Sequence, residues 1–181
     1  DGHERRIPGM RLPAKAPAGP AMPGARPHDP SPTERTLWAL PLKLGPMGTL
    51  SSGKLFDDRV TGQEGFRFTG AKGGEAWKGK VERYLISKVP ALHVLLGWAE
   101  RHEGVIEEAK LHEAVQGQLT IHRHDGSAED MLEVLNGGVW GFLSNCLSGE
   151  AETMFKQAKT LHGIDAWRRV VRFIDHGKSI R

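Results

Sequence analysis

The sequence predicts an all-α protein: a compact bundle of five or six short helices behind a disordered Pro/Gly-rich N-terminal arm. Three observations carry this expectation. Apolar residues recur at helical spacing from Trp77 to Ile174. Ten of the eleven prolines lie in residues 1–46, and only Pro90 follows them. The single cysteine, Cys146, excludes an intramolecular disulfide scaffold and a thiolate zinc cage. The chain of 181 residues therefore divides into a disordered Pro-rich basic arm (1–46), a Gly-rich linker (47–65) and a helical domain (66–181).

In the arm, stretches such as Pro17-Ala18-Gly19-Pro20 cannot bury enough apolar surface to offset chain ordering. The arm holds seven Lys/Arg against four acids, which leaves eighteen of each for the remainder, so the core is neutral. The apolar patch from Leu37 to Leu44 is interrupted by Pro41, which restricts it to an edge strand or an extended arm. It reads either as a linker resting on the core or as a docking segment for another chain.

Within the helical part, Trp77, Val81, Tyr84 and Leu85 share one face of a helix that must end before Pro90. Leu92, Leu95, Leu96 and Ala99 define a second helix. Residues 104–116 suggest a weaker one, with Val105, Ala109 and His112 on a common face. The clearest helix begins near Ser127, the expected N-cap, and buries Met131, Leu132, Leu135, Val139, Phe142, Leu143 and Cys146. Gly137 and Gly141 stand four apart on its other side, with Asn145 a turn further. Each mid-helix glycine costs about 1 kcal/mol relative to alanine, so Gly137, Gly138 and Gly141 imply close approach of another backbone, from this fold or from a second copy. A further helix starts at Ser148, buries Ala151, Met154, Phe155, Ala158 and Leu161, and ends at Gly163. Asp165 caps the last helix, whose stripe is Trp167, Val170, Val171 and Ile174 and whose stop is Gly177. Arg168, Arg169 and Arg172 project together from its opposite side.

Chemical motifs are sparse. Gly48 to Lys54 has phosphate-loop spacing, but Leu55 stands where a magnesium-binding hydroxyl is required. His122 and His124 are close together without a third ligand, and neither His102 nor His112 is followed by a histidine four residues on. Asp175, His176 and Ser179 are triad residue types, but a triad is a spatial constellation and adjacency in sequence does not make one. Cys146 on an apolar face reads as an inert thiol. No catalytic set, cofactor, metal or small-molecule substrate is expected. The basic C-terminal region is the remaining signal: Lys156, Lys159, Arg168, Arg169, Arg172, Lys178 and Arg181 against Asp165 and Asp175. Such an excess attracts nucleic acid through counterion release, which gives one functional reading: a small helical nucleic-acid-binding module using the last helix. No run of 18 apolar residues and no secretion leader occur in the sequence; with one cysteine, the expectation is a cytoplasmic protein without membrane contact.

Short motifs support a more specific expectation. Phe66-Arg67-Phe68-Thr69-Gly70, then Glu75-Ala76-Trp77 and Val81 to Leu85, followed much later by Leu143, Ala151 to Phe155 and Asp165-Ala166-Trp167-Arg168-Arg169-Val170, resemble the Gag-like capsid proteins of copia-type LTR retrotransposons. The resemblance spans about residues 56–181. Phe66, Gly70, Trp77, Tyr84, Leu85, Phe155, Trp167 and Val170 carry it, with Val170 standing where that family usually has leucine. It implies an all-α, non-enzymatic domain that makes homotypic contacts and builds a shell around the element's RNA. Gly137, Gly141 and Asn145 are then candidate self-association positions. The Cys/His zinc knuckle that members often carry has no counterpart in this sequence.

Overall fold

The computed structural model describes residues 42, 44, 54–122 and 125–179. The remainder of the expected arm and residues 47–53 of the linker lie outside them. The fold is all-α, as expected. A 3-10 turn at Asp58–Gly62 precedes α1 (Gly74–Lys88), α2 (Leu92–Arg101) and α3 (Glu108–Val115). A two-stranded antiparallel hairpin follows, β1 (Thr120–His122) with β2 (Ala128–Asp130), in register Thr120 to Asp130 and His122 to Ala128. Then come α4 (Met131–Cys146), α5 (Gly149–Phe155) and α6 (Gly163–Ser179).

The last helix is the hub. α6 packs against α2, α4 and α5, and its Trp167 is fully buried. Trp167 stands 6.1 Å from Trp77 and donates its indole N–H to Glu100 Oε1 (2.9 Å), while Lys78 Nζ meets Glu100 Oε2 at 2.7 Å. One carboxylate thereby joins α1, α2 and α6. Burying an indole inside this arrangement satisfies its only polar atom.

Phe66 and Phe68 fasten the segment before α1 to the far half of the chain. The Phe68 amide donates to the Cys146 carbonyl (2.9 Å), and the Ser148 amide donates to the Phe68 carbonyl (3.1 Å). Phe66, Phe56, Tyr84 and Phe142 form an aromatic group whose closest ring pair, Tyr84 and Phe142, lies at 5.1 Å. Gly70 must adopt φ +103°, and a side chain there would meet Glu150 Cβ at 3.0 Å and the Ala151 nitrogen at 3.1 Å. The packed body also takes in Phe56 and Leu44, ahead of the boundary expected at residue 66. The Leu42 amide donates to the Ala114 carbonyl and the Leu44 amide to Gln118 Oε1, each at 3.2 Å. At these two residues the chain rests on its own core, the first of the two readings of that patch.

Several boundaries differ from expectation. α4 is capped by Asp130, which accepts from the Leu132 amide at 2.9 Å; Ser127 instead belongs to a turn in which it donates to Asp125. The weak helix is shorter than expected and buries Leu111, Ala114 and Val115, while Val105 is 57% exposed on the preceding loop. α5 stops at Phe155, so Leu161 is not on its buried face: it is 59% exposed, in the left-handed region at φ 66°. Gly163 begins α6 rather than ending α5, and Gly177 does not stop α6. The reason at Gly163 is steric. A Cβ there would lie 2.4 Å from both the Asn136 carbonyl oxygen and the Trp140 nitrogen, so this glycine lets the start of α6 lie directly on α4.

Two substitutions test this packing. Trp167→Ala is expected to cost about 3–5 kcal/mol, read as a lowered urea midpoint; an unchanged midpoint would place the last helix wrongly. Gly163→Ala is expected to cost about 1–3 kcal/mol through overpacking, and a melting temperature equal to the parent's would contradict the close approach of α6 to α4.

Candidate functional site

The arginines expected to form a free basic face are occupied. Asp165, Arg168 and Arg172 lie along one side of α6 at helical spacing and grip the loop between α2 and α3, residue by residue. Arg172 Nε donates to the His102 carbonyl (2.8 Å), Arg168 Nη1 to the Glu103 carbonyl (3.3 Å), and the Ile106 amide donates to Asp165 Oδ1 (3.0 Å). Arg168 Nε also meets Asp165 Oδ1 at 2.8 Å and Arg169 Nε meets Oδ2 at 2.7 Å. Arg168 is only 5% exposed and Asp165 only 1%. Placing Arg168 on a solvent face is therefore corrected: helical projection separates it from the apolar stripe, but the 102–106 loop covers that side.

Burial alone would raise the Asp165 pKa, yet the Ile106 amide and the two guanidinium groups outweigh it and hold the carboxyl below its ordinary range. Beside it, the Ile164 amide donates to Asn136 Oδ1 (2.9 Å), and Asn136 Nδ2 lies 3.4 Å from His162 Nδ1. His162 is buried and its Nε2 makes no hydrogen bond. Further back, Lys156 pairs with Glu152 (2.5 Å) and Lys159 with Glu108 (2.8 Å) at the surface. Lys178 belongs to α6, and Arg181 lies outside the described residues.

The glycine side of α4 is a different surface. Among the described residues nothing lies within 4 Å of a Cβ built on Gly141, and one on Gly137 meets Leu161 Cδ2 at 3.9 Å. The close approach within the fold is at Gly138, where Leu55 Cδ1 (3.1 Å) and Phe56 Cε2 (3.3 Å) lie against the helix, and it is made by side chains rather than by backbone. Val134 is 44% exposed and Asn145 is exposed on the same side. Val134, Gly137, Gly141 and Asn145 border a cleft of about 410 Å³, with Lys54 and Asp58 at its edge. Between Glu133 and the end of α4 there is no charged residue. Sequence reasoning named Gly137, Gly141 and Asn145; it missed Val134 and Leu161, because Leu161 had been assigned to a buried helix face. A second cleft, between the Gly70–Gly74 turn and α6, has Phe68, Phe173 and Ile174 in its wall and was not foreseen.

The remaining motifs stay apart. Gly48 and Gly53 of the phosphate-loop pattern lie outside the described residues, and Lys54 pairs with Asp58. Asp175, His176 and Ser179 all belong to α6, and His176 Nδ1 lies 2.7 Å from the Arg172 carbonyl oxygen. Burial, with Asp58 adding to it, pushes the Cys146 thiol up to about 12, so it is not a nucleophile at neutral pH. Among the described residues no group of three or more His, Cys, Asp or Glu is arranged to hold a metal ion, and no helix is long and apolar enough to cross a membrane. No family model, curated protein or solved structure matches the chain.

Removing the shared carboxylate strands two guanidinium groups and a buried amide. Asp165→Ala is expected to cost about 3–5 kcal/mol, measured by urea denaturation at pH 7; a loss below about 1 kcal/mol would show that the paired charges do not hold the loop.

Proposed function

We propose that this chain is a non-enzymatic structural domain that associates with copies of itself, in the manner of the Gag-like capsid proteins it resembles, to enclose RNA in the cytoplasm. The observation that carries this reading is the outer side of α4. Val134 and the neighbouring Leu161 are apolar and exposed, and they flank glycines that leave the helix backbone open on that side. Water gains nothing by hydrating such a surface, whereas a second helix gains close contact and buried apolar area. A second copy offers the same uncharged strip, which suits the isologous contacts of homo-oligomers. The aromatic and apolar residues that carry the resemblance, Phe66, Trp77, Leu85, Phe155, Trp167 and Val170, are buried, with Tyr84 packed against them. They support the reading as framework residues. The alternative reading, a nucleic-acid module on α6, requires Arg168, Arg169 and Arg172, whose guanidinium groups already hold the 102–106 loop and Asp165.

Light scattering after size exclusion, over a concentration series, tests the proposal. The parent protein is expected to gain mass with concentration. Gly141→Arg is expected to remain monomeric with an undiminished melting temperature, since no described residue occupies that space. A parent that stays strictly monomeric at high concentration and raised salt would refute self-association.

A further inference from the structure

The loop from His102 to Glu107 is a strap across α6, and we infer that mild acid releases it. Its attachment is narrow. Its bonds to α6 are the Arg172 bond to the His102 carbonyl, the Arg168 bond to the Glu103 carbonyl and the Asp165 bond from the Ile106 amide, and the Ile106 backbone also meets His162. Glu103, Gly104, Val105 and Glu107 face solvent, so only its two ends, His102 and Ile106, are buried. A segment with so few buried groups can open without unfolding the rest.

Titratable groups sit beneath both ends. At the first, the His102 ring is 3% exposed, lies 4.3 Å from the Trp98 ring, and has Nδ1 3.4 Å from the Trp98 carbonyl oxygen. Arg101 from α2, Lys110 from α3 and Arg168 from α6 act on this ring with like charge, and Arg172 is bonded to its carbonyl. A proton added here meets low polarity and like charge at once. Burial holds its pKa down to about 4; the Trp98 carbonyl pulls the other way, and the three cations add to the lowering. At the other end His162 is buried beside Asn136 of α4 and Asp165 of α6, with Glu108 of α3 and Lys159 acting on it from further away. Burial lowers its pKa too, although Asp165, the Ile106 backbone of the strap and Glu108 pull against that, so His162 is not the trigger.

The direction follows from linkage. Closed, His102 is neutral; released into water, it titrates near its ordinary 6.5. The closed strap is fully favoured above pH 6.5 and loses that advantage as pH falls from 6.5 towards 4, by about tenfold per unit. At pH 5 the open state gains roughly 30-fold from His102 alone. Asp165 is not the trigger, because its carboxyl stays ionised through this window. Opening returns Arg168 and Arg172 to solvent, so acid uncovers a cationic stripe that neutral pH keeps closed.

Amide hydrogen exchange on the full chain, corrected for the intrinsic rate at each pH, reads the strap directly. Between pH 7.5 and pH 5.0 the opening constant at Ile106 is expected to rise about 30-fold, while Val139 inside α4 changes far less. In His102→Gln the rise at Ile106 is expected to shrink to a few-fold. Unchanged protection at Ile106, or parallel loss at Val139, would overturn the inference. The His102 ring protons of the parent give an independent reading by NMR: a midpoint clearly depressed below 6.5 supports the strap, and titration near 6.5 ends it whether or not the variant folds.

Discussion

A carboxylate with almost no contact with water sits where the structure is least able to tolerate error. Asp165 stays ionised because three donors reach it, and they come from two parts of the chain: the Ile106 amide on the loop, and Arg168 and Arg169 on its own helix. Ion pairs of this kind add little net stability when formed and cost much when broken. Their effect is directional. With Asp165 fixed in the first turn of α6, where the helix dipole also favours a negative charge, the helix can take only one rotation. That rotation turns Trp167 towards Glu100 and Trp77, and buries Val170, Val171 and Ile174.

The apolar half of this arrangement was legible in the sequence. Trp77, Val81 and Leu85, the stripe of α4 from Met131 to Cys146, and Trp167 to Ile174 all keep helical spacing, and all are buried. The polar half was not. Projection at 100° per residue separates Arg168 from the apolar stripe but does not reveal that a loop some sixty residues earlier lies over that side. Leu161 was misassigned for a related reason. Its spacing continues the α5 pattern, yet the chain has to reverse so that Gly163 can enter against α4, and the left-handed turn at Leu161 makes that reversal. The hairpin of three-residue strands is too short to show any alternation.

The surface of α4 was legible in part. Gly137 and Gly141 mark a helix side that the described residues cover only at Leu161, whereas the tight internal contact belongs to Gly138. Spacing alone cannot choose among neighbouring glycines, because the choice depends on which one Leu55 and Phe56 reach from a separate segment. The residues behind the Gag-like resemblance fared better, since most are large and apolar. Phe66 meets Tyr84 in one aromatic group and Trp167 meets Trp77 in another, so these residues fill an interior and do not form a chemical site.

The position of the hub has a consequence for biosynthesis. α6 comes after every other helix described, and its side chains complete the surroundings of α2, α4 and α5. While the ribosome is still adding residues before Gly163, the inner faces of those three helices have no lid. The faces that α6 covers lack that cover until its seventeen residues clear the exit tunnel. A nascent chain built in this order keeps those three faces open until α6 arrives to cover them together.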